Sequence, residues 1–179
     1  MDFIELSKTR ESVRDFTGEA ISHSDLLKIL EAGRLAPSGC NLQPWHMYVV
    51  EQGERLNQLK SAIQFYGTNL FTQNMGAAIV VLGNKPEYPE RVQKSLCNRT
   101  FYDIDAGILI ANMELCATTI GIGTCTIGCF NEEAAKKAID LDGDERSIKC
   151  IVALGVPNYK NPRTKTRKSF DEVITFVKD

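Results

Sequence analysis

The chain has 179 residues, 43% hydrophobic and 25% charged, so it is long and apolar enough to bury one core. Its formal net charge of −2 gives no electrostatic reason to expect nucleic acid or an anionic membrane as a partner. No uninterrupted apolar run of about 18 residues is present, and the first residues lack a basic region followed by an apolar one. We therefore expect a single cytoplasmic domain over residues 1–179.

The first half of the chain predicts helices and two strands. An apolar pair in a polar setting predicts a short helix over residues 2–9. Ser22 or Ser24 can cap a second helix, which is expected to stop at Ala36 because Pro37 disfavours a helical conformation in the residue before it. The remaining elements predicted up to residue 84 are a strand over 46–51, a helix over 54–65 and a buried strand over 76–84.

The second half of the chain contains one unusually apolar stretch. "DIDAGILIANMELCATTIG" is apolar on nearly every face, which predicts a central buried helix and favours a dimer whose interface uses it. Residues 85–99 hold two prolines and many charges, so we expect an exposed loop, with or without a short helix, that is a candidate lid. Further predictions are an extended piece over 123–130, a capped helix over 131–139 and a strand over 148–157. This order predicts an α+β or α/β fold with one sheet covered by helices.

The cysteines and histidines do not indicate a metal site or a nucleophile. No two of the six cysteines form a CxxC pair, and Cys116 and Cys150 lie in apolar segments, so neither disulfides nor zinc are expected. His23 lies in a helix-start signal, and no motif surrounds His46. We predict no metal ion and name no catalytic side chain.

Two basic clusters lie far apart in the sequence. "TRESVR" places Arg10 and Arg14 four positions apart with Ser12 between them, so on a helical turn the two arginines would share a face. "RTKTRK" contains Arg163, Lys165, Arg167 and Lys168. Such groups suit a phosphate, although ordinary solvated charges are the alternative interpretation. Neither cluster belongs to a Walker loop or a GxGxxG fingerprint.

Four stretches resemble, in this order, the FMN-dependent nitroreductase family: "RESVRDF", "LEAGRLAPSGCNLQPWHMYVV", "GIGTCTIGCF", and "ALGVP" followed by "KTRKSFDEV". "APSGCNLQPW" is the most specific, and the resemblance covers almost the whole chain. It implies a nitroreductase-like α+β fold with a central, mostly antiparallel sheet flanked by helices. It also implies an intertwined homodimer with FMN in each of two clefts at the interface.

The resemblance further implies which residues meet the cofactor. Arg10, Ser12 and Arg14 match the family's N-terminal flavin contacts, while Lys165 and Arg167 match its C-terminal basic pair. Arg10 and that pair would hold the phosphate. Arg14 would reach the N1 and C2 carbonyl side of the ring, where charge collects on reduction, and would raise the flavin's potential.

Three more segments are matched by the resemblance. The stretch that contacts the flavin of the second subunit corresponds to Pro37, Ser38, Gly39 and Asn41, and Cys40 occupies the place where the family's backbone often faces the substrate. Asn69 matches a residue at the pyrimidine edge, and Asn74 is a rival for that role. The backbone by the flavin N5 corresponds to Thr126, Ile127, Gly128 and Cys129. Many relatives carry an aromatic residue or proline in place of Thr126, which leaves the hydrogen bond to N5 open.

The activity implied by the resemblance needs no acid–base pair, because the flavin supplies the reactivity. NADH or NADPH would give hydride to the flavin and leave, and a nitroaromatic, quinone or similar acceptor would then take its place, in a ping-pong order. The sequence does not choose between the two donors. Two alternatives remain: a specialised enzyme of the same fold, such as a reductive dehalogenase that selects its substrate through residues 85–99, or a low-turnover FMN-binding protein.

Overall fold

The computed structural model describes residues 2–96, 101–159 and 161–178. Within these ranges the α-helices are α1 (Phe3–Thr9), α2 (His23–Arg34), α3 (Glu54–Ile63), α4 (Glu90–Ser95), α5 (Tyr102–Thr119), α6 (Glu132–Ala138) and α7 (Phe170–Val173). The strands are β1 (Trp45–Val50), β2 (Ala77–Gly83), β3 (Gly123–Ile127) and β4 (Ile148–Gly155). Each of the helices and strands predicted above is therefore present, with ends that differ by up to three residues.

The strands form one antiparallel sheet in the order β1-β2-β4-β3. Successive side chains of a strand point to opposite faces. In β2, Ala78, Val80 and Leu82 pack into one apolar cluster that includes residues of α3 and α6. Ala77, Ile79 and Val81 pack into the other, with residues of α2 and α5. Helices thus cover both faces of the sheet, which explains why β2 is apolar throughout and entirely buried.

Local capping explains where α2 begins and ends. The Ser22 side chain accepts a hydrogen bond from the Asp25 amide, so Ser22 is the N-cap of the two serines considered. The helix ends at Arg34, before the predicted Ala36, and Leu35 is its C-cap. The early end is expected because Ala36 precedes Pro37 and lies outside the helical ladder.

Within a single chain, α5 is buried along one side, and the burial of its other side by a second copy stays a prediction. Ala106, Leu109, Met113 and Ala117 form a stripe at helical spacing that faces the core and is buried. Ile104, outside the stripe, is 57% exposed. A single sheet face covers one side of a helix, so Ile108 and Ile110 of α5 are only half-buried within one chain.

Residues 10–16 run alongside β3 and form no helix, which corrects the helical turn expected for "TRESVR". Ser12 makes a parallel bridge with Thr124, and the Val13 amide donates to the Thr124 carbonyl at 2.8 Å. The chain alternates here: Glu11 and Val13 are buried, whereas Ser12 is half-buried and Arg14 exposed. The three predicted site residues of this segment share a face through the two-residue period of an extended chain.

Two glycines allow this segment to lie close to the sheet. Gly123 of β3 pairs with Gly155 of β4. A Cβ on Gly123 would come within 2.7 Å of Val13, and a Cβ on Gly155 within 2.5 Å of Phe16. The missing side chains are therefore what lets residues 13–16 pack against the sheet.

Among the described residues, no helix is long and apolar enough to cross a membrane.

Candidate functional site

The two basic clusters meet in one pocket of about 250 Å³. We call it the basic pocket, and it is lined by Arg10, Glu11, Ser12, Arg14, Arg163, Thr164, Lys165 and Arg167. Five of these residues were predicted to bind the cofactor, and the structure brings all five together. Arg163, which the sequence indicated only as a member of the C-terminal basic cluster, also lines the pocket. Glu11 was not predicted.

The cations of the basic pocket repel one another. Burial, together with the positive charges of Arg10 and Arg167, lowers the pKa of Lys165. The guanidinium of Arg14 lies 6.0 Å from the centre of the Phe71 ring, within reach of a cation–π contact. An anion bound here would relieve the repulsion, which is the behaviour of a phosphate site.

Glu114 connects the basic pocket to the end of β3. It accepts a hydrogen bond from Arg10 Nη1 at 3.4 Å and another from the Thr126 hydroxyl at 2.8 Å. Glu114 was not among the residues predicted from the sequence. The sequence does set Glu114 apart, because it is the one charged residue between positions 106 and 119 of a mostly apolar helix.

Asn69 lies against the segment that follows β3. Its side-chain amide donates to the Cys129 carbonyl at 3.0 Å, so two of the predicted matches are neighbours. Ile127 is buried in the apolar core, whereas Gly128 and Cys129 are exposed. Asn74 is exposed at the end of the 3-10 turn Leu70–Asn74.

The loop over residues 37–43 is separate from the basic pocket and is held by α5. The Gly39 amide donates to Asp105 Oδ1 at 3.0 Å, and Asp105 is 3% exposed. Since Asp105 and Glu114 are nine residues apart on one helix, their Cα atoms are about 14 Å apart along its axis. None of the predicted loop residues Pro37, Ser38, Gly39 and Asn41 lines the basic pocket.

The same loop contains left-handed backbone. Cys40, Asn41 and Gln43 have φ values of 53°, 56° and 49°, which residues other than glycine seldom adopt. The Ser38 hydroxyl oxygen accepts the Gln43 amide at 2.9 Å and helps to close the turn. Cys40 is an exposed free thiol. This conformation explains why turn-forming residues cluster in "APSGCNLQPW".

Part of the candidate lid is helical. Within residues 85–96 the chain forms α4, as one of the two predicted forms requires, and residues 97–99 of that segment lie outside the described ranges. The Tyr88 hydroxyl accepts the Phe101 amide at 3.3 Å, which ties the segment to the start of α5. In the described part of the chain, no group of three or more His, Cys, Asp or Glu side chains is arranged to hold a metal ion.

These features define a class of protein: an α+β fold with a covered antiparallel sheet, in which residues distant in sequence build a basic pocket. A family model described as the Nitroreductase family matches residues 8–66 and 66–156, and the chain belongs to this family. As a member of it, the chain is an oxidoreductase enzyme.

Similar proteins support this assignment. A protein of Archaeoglobus fulgidus, whose name combines NADH dehydrogenase with NAD(P)H nitroreductase, is 34% identical over 157 residues, covering 83% of this chain and 82% of that protein. A crystal structure of a nitroreductase family protein from Clostridium difficile matches with a TM-score of 0.82 and 27% identity over 98% of both chains. Another structure from that species, named FMN-dependent nitroreductase, has a TM-score of 0.76 at 23% identity, over 97% of this chain and 98% of that one. The predicted family and fold are confirmed.

Proposed function

We propose that the protein is an FMN-dependent oxidoreductase that takes hydride from NADH or NADPH and reduces a nitroaromatic, quinone or similar acceptor by a ping-pong mechanism. The basic pocket carries this proposal. It is a set of guanidinium, ammonium and hydroxyl donors of the kind that binds a phosphate group. The similarity to a structure named FMN-dependent nitroreductase supports the choice of FMN.

The residues present fit the phosphate end of FMN. Arg10, Lys165 and Arg167 would hold the phosphate, and Ser12 would add a hydroxyl. Arg14, at the exposed end of the same extended segment, would lie toward the pyrimidine side of the ring, where its charge favours the reduced form. When bound, FMN supplies the hydride-accepting and hydride-donating chemistry, so the protein needs no acid–base pair.

We propose that Asn69 meets the pyrimidine edge, in preference to Asn74. The hydrogen bond from Asn69 to Cys129 holds it beside residues 126–129, whose backbone would lie by the flavin N5. Glu114 holds Thr126 and Arg10, so it aligns the two ends of the site.

We also propose a homodimer in which residues 37–41 serve the site of the other subunit. The roughly 14 Å along α5 between Asp105 and Glu114 supports this division, because the loop lies at one end of the helix and the basic pocket at the other. The exposed Ile104 and the half-buried Ile108 and Ile110 of α5 supply a surface for a second copy.

Replacing Arg14 by Ala tests the role of this residue. We expect FMN affinity to fall about 10-fold to 100-fold, which is the effect of losing a hydrogen bond to a charged group, and reduction by NADH or NADPH to slow. Fluorescence titration gives the affinity, and anaerobic stopped-flow absorbance gives the rate. Arg34→Ala is the matched control, since Arg34 is exposed and pairs with Glu31 on α2. Unchanged affinity and rate in Arg14→Ala would exclude the proposed role.

The wild-type protein tests the function itself. A chain that is colourless and binds no FMN in titration contradicts the proposal. Flavin that binds but is not bleached by either nicotinamide indicates the low-turnover binding protein. Bleaching followed by selective reoxidation with a halogenated aromatic indicates the dehalogenase.

A further inference from the structure

Glu11 is a carboxylate on the wall of a pocket whose other charged groups are cations. Its side chain is 6% exposed. A negative charge at such a position opposes a bound phosphate by simple repulsion. Its presence between Arg10 and Ser12 therefore requires a different explanation.

Both oxygens of Glu11 are used by residues from the far end of the chain. The Tyr159 hydroxyl donates to Oε1, and the Arg163 amide donates to Oε2 at 2.7 Å. The Arg163 guanidinium lies 3.7 Å from Oε1. Burial alone would raise the pKa of Glu11, but these donors outweigh burial and lower it. Glu11 is thus a charged acceptor whose two oxygens bind Tyr159 and Arg163.

Tyr159 and residues 161–168, which together we call the C-terminal arm, depend on such contacts. Residues 162–169 form neither helix nor strand, so no backbone ladder fixes Lys165 and Arg167. Two other contacts join the arm to the N-terminal segment: Arg163 Nη2 donates to the Ser12 carbonyl at 2.7 Å, and Lys165 donates to the Lys8 carbonyl. Those two contacts are accepted by backbone carbonyls, whereas Glu11 accepts its bonds through a buried side chain.

We propose that Glu11 is a positioning residue, which fastens the C-terminal arm to residues 10–14 and so holds Lys165 and Arg167 where they bind the phosphate. This inference rests on the proposed function, because it assumes that the ligand is a phosphate-bearing flavin. Glu11 contacts neither flavin nor acceptor in this role.

Two variants remove different halves of the contact. Glu11→Gln keeps an acceptor for Tyr159 but loses the negative charge, and Tyr159→Phe loses the hydroxyl and leaves the charge. Glu133→Gln is the control for the first, since Glu133 is exposed on α6. Circular dichroism and thermal melting identify any variant that has lost the fold.

The first measurement is the affinity of each variant for FMN and for riboflavin, which lacks the phosphate. Loss of a charge-assisted hydrogen bond corresponds to about tenfold or more. We therefore expect both variants to bind FMN about tenfold more weakly and riboflavin as the wild type does. A role as a repelling charge predicts the opposite sign, so tighter or unchanged FMN binding by Glu11→Gln overturns the proposal. Equal losses for both ligands do the same, because they indicate a general structural role.

The second measurement needs no flavin. Trypsin cuts after the basic residues of the arm, and the cleavage rate follows the population in which the arm is detached. We expect cleavage within residues 163–168 to be about tenfold faster in both variants than in the wild type. Unchanged cleavage in both variants overturns the proposal. If the wild type binds neither flavin, the proposed function fails, and the trypsin result still decides whether Glu11 holds the arm.

Discussion

Replacing Gly155 by Ala tests whether the paired glycines set the position of residues 13–16. The new Cβ would lie 2.5 Å from Cδ1 and 2.8 Å from Cγ of Phe16, a ring that is 1% exposed and has no open space to enter. Overpacking of this kind costs about 1–3 kcal/mol, and the lower entropy of unfolded alanine returns about 0.4–1 kcal/mol. We expect a net loss of about 1–2 kcal/mol, and a melting temperature lower by about 2–8 °C for a domain of this size.

Urea unfolding at equilibrium measures this change, which should appear as a lower midpoint with an unchanged slope. Gly107→Ala is the matched control, because a Cβ there meets nothing within 4 Å and alanine favours a helix by about 1 kcal/mol. Combining Gly155→Ala with Phe16→Leu should cost less than the sum of the two single changes, since the smaller side chain relieves the clash. If Gly155→Ala unfolds at the same urea concentration as the wild type, or at a higher one, the packing argument is refuted.

Two further predictions concern the ion pair between Asp144 and Arg146 and the loop over residues 37–43. Hydrogen bonds from the Arg146 side chain and amide hold the pKa of Asp144 at about 2, below its ordinary 3.8. The resulting stability is present above pH about 4 and is lost toward pH about 2, so the melting-temperature gap between wild type and Asp144→Asn should shrink over that range; a constant gap would contradict this. Asp105→Ala removes the acceptor of the Gly39 amide, so exchange of that amide with deuterated solvent should be about tenfold faster, as measured by NMR. An unchanged exchange rate would show that Asp105 does not hold the loop.

Local signals were sufficient for most of the fold. Alternation, glycine boundaries and capping residues predict elements from neighbours in sequence, as the Ser22 cap of α2 and the apolar run of β2 illustrate. The apolar character of α5 was read from composition, but composition does not say which sides of a helix are covered within its own chain. A helix on the outer face of a single sheet keeps an exposed side, as Ile104 does.

For the candidate site, too, some features could be predicted from the sequence and others could not. Arg10, Ser12 and Arg14 were found from the resemblance, but the helical geometry assumed for their spacing was wrong. The contacts of Glu11 and Glu114 were not foreseen, because each depends on a partner more than ten positions away. Sequence spacing indicates which residues share a face of one element, but it does not show which distant element packs against that face.

The basic pocket also has a consequence for the order of folding. The bond between Glu11 and the Arg163 amide spans 152 positions, so it closes one of the longest loops of the molecule. Contacts of such separation carry a high entropic cost of closure, and we expect them to form after the sheet. A flavin retained through purification would then mark molecules that have completed this last step. The ratio of bound flavin to protein would then measure the fraction of molecules that have formed this contact, as well as the fraction of sites that hold flavin.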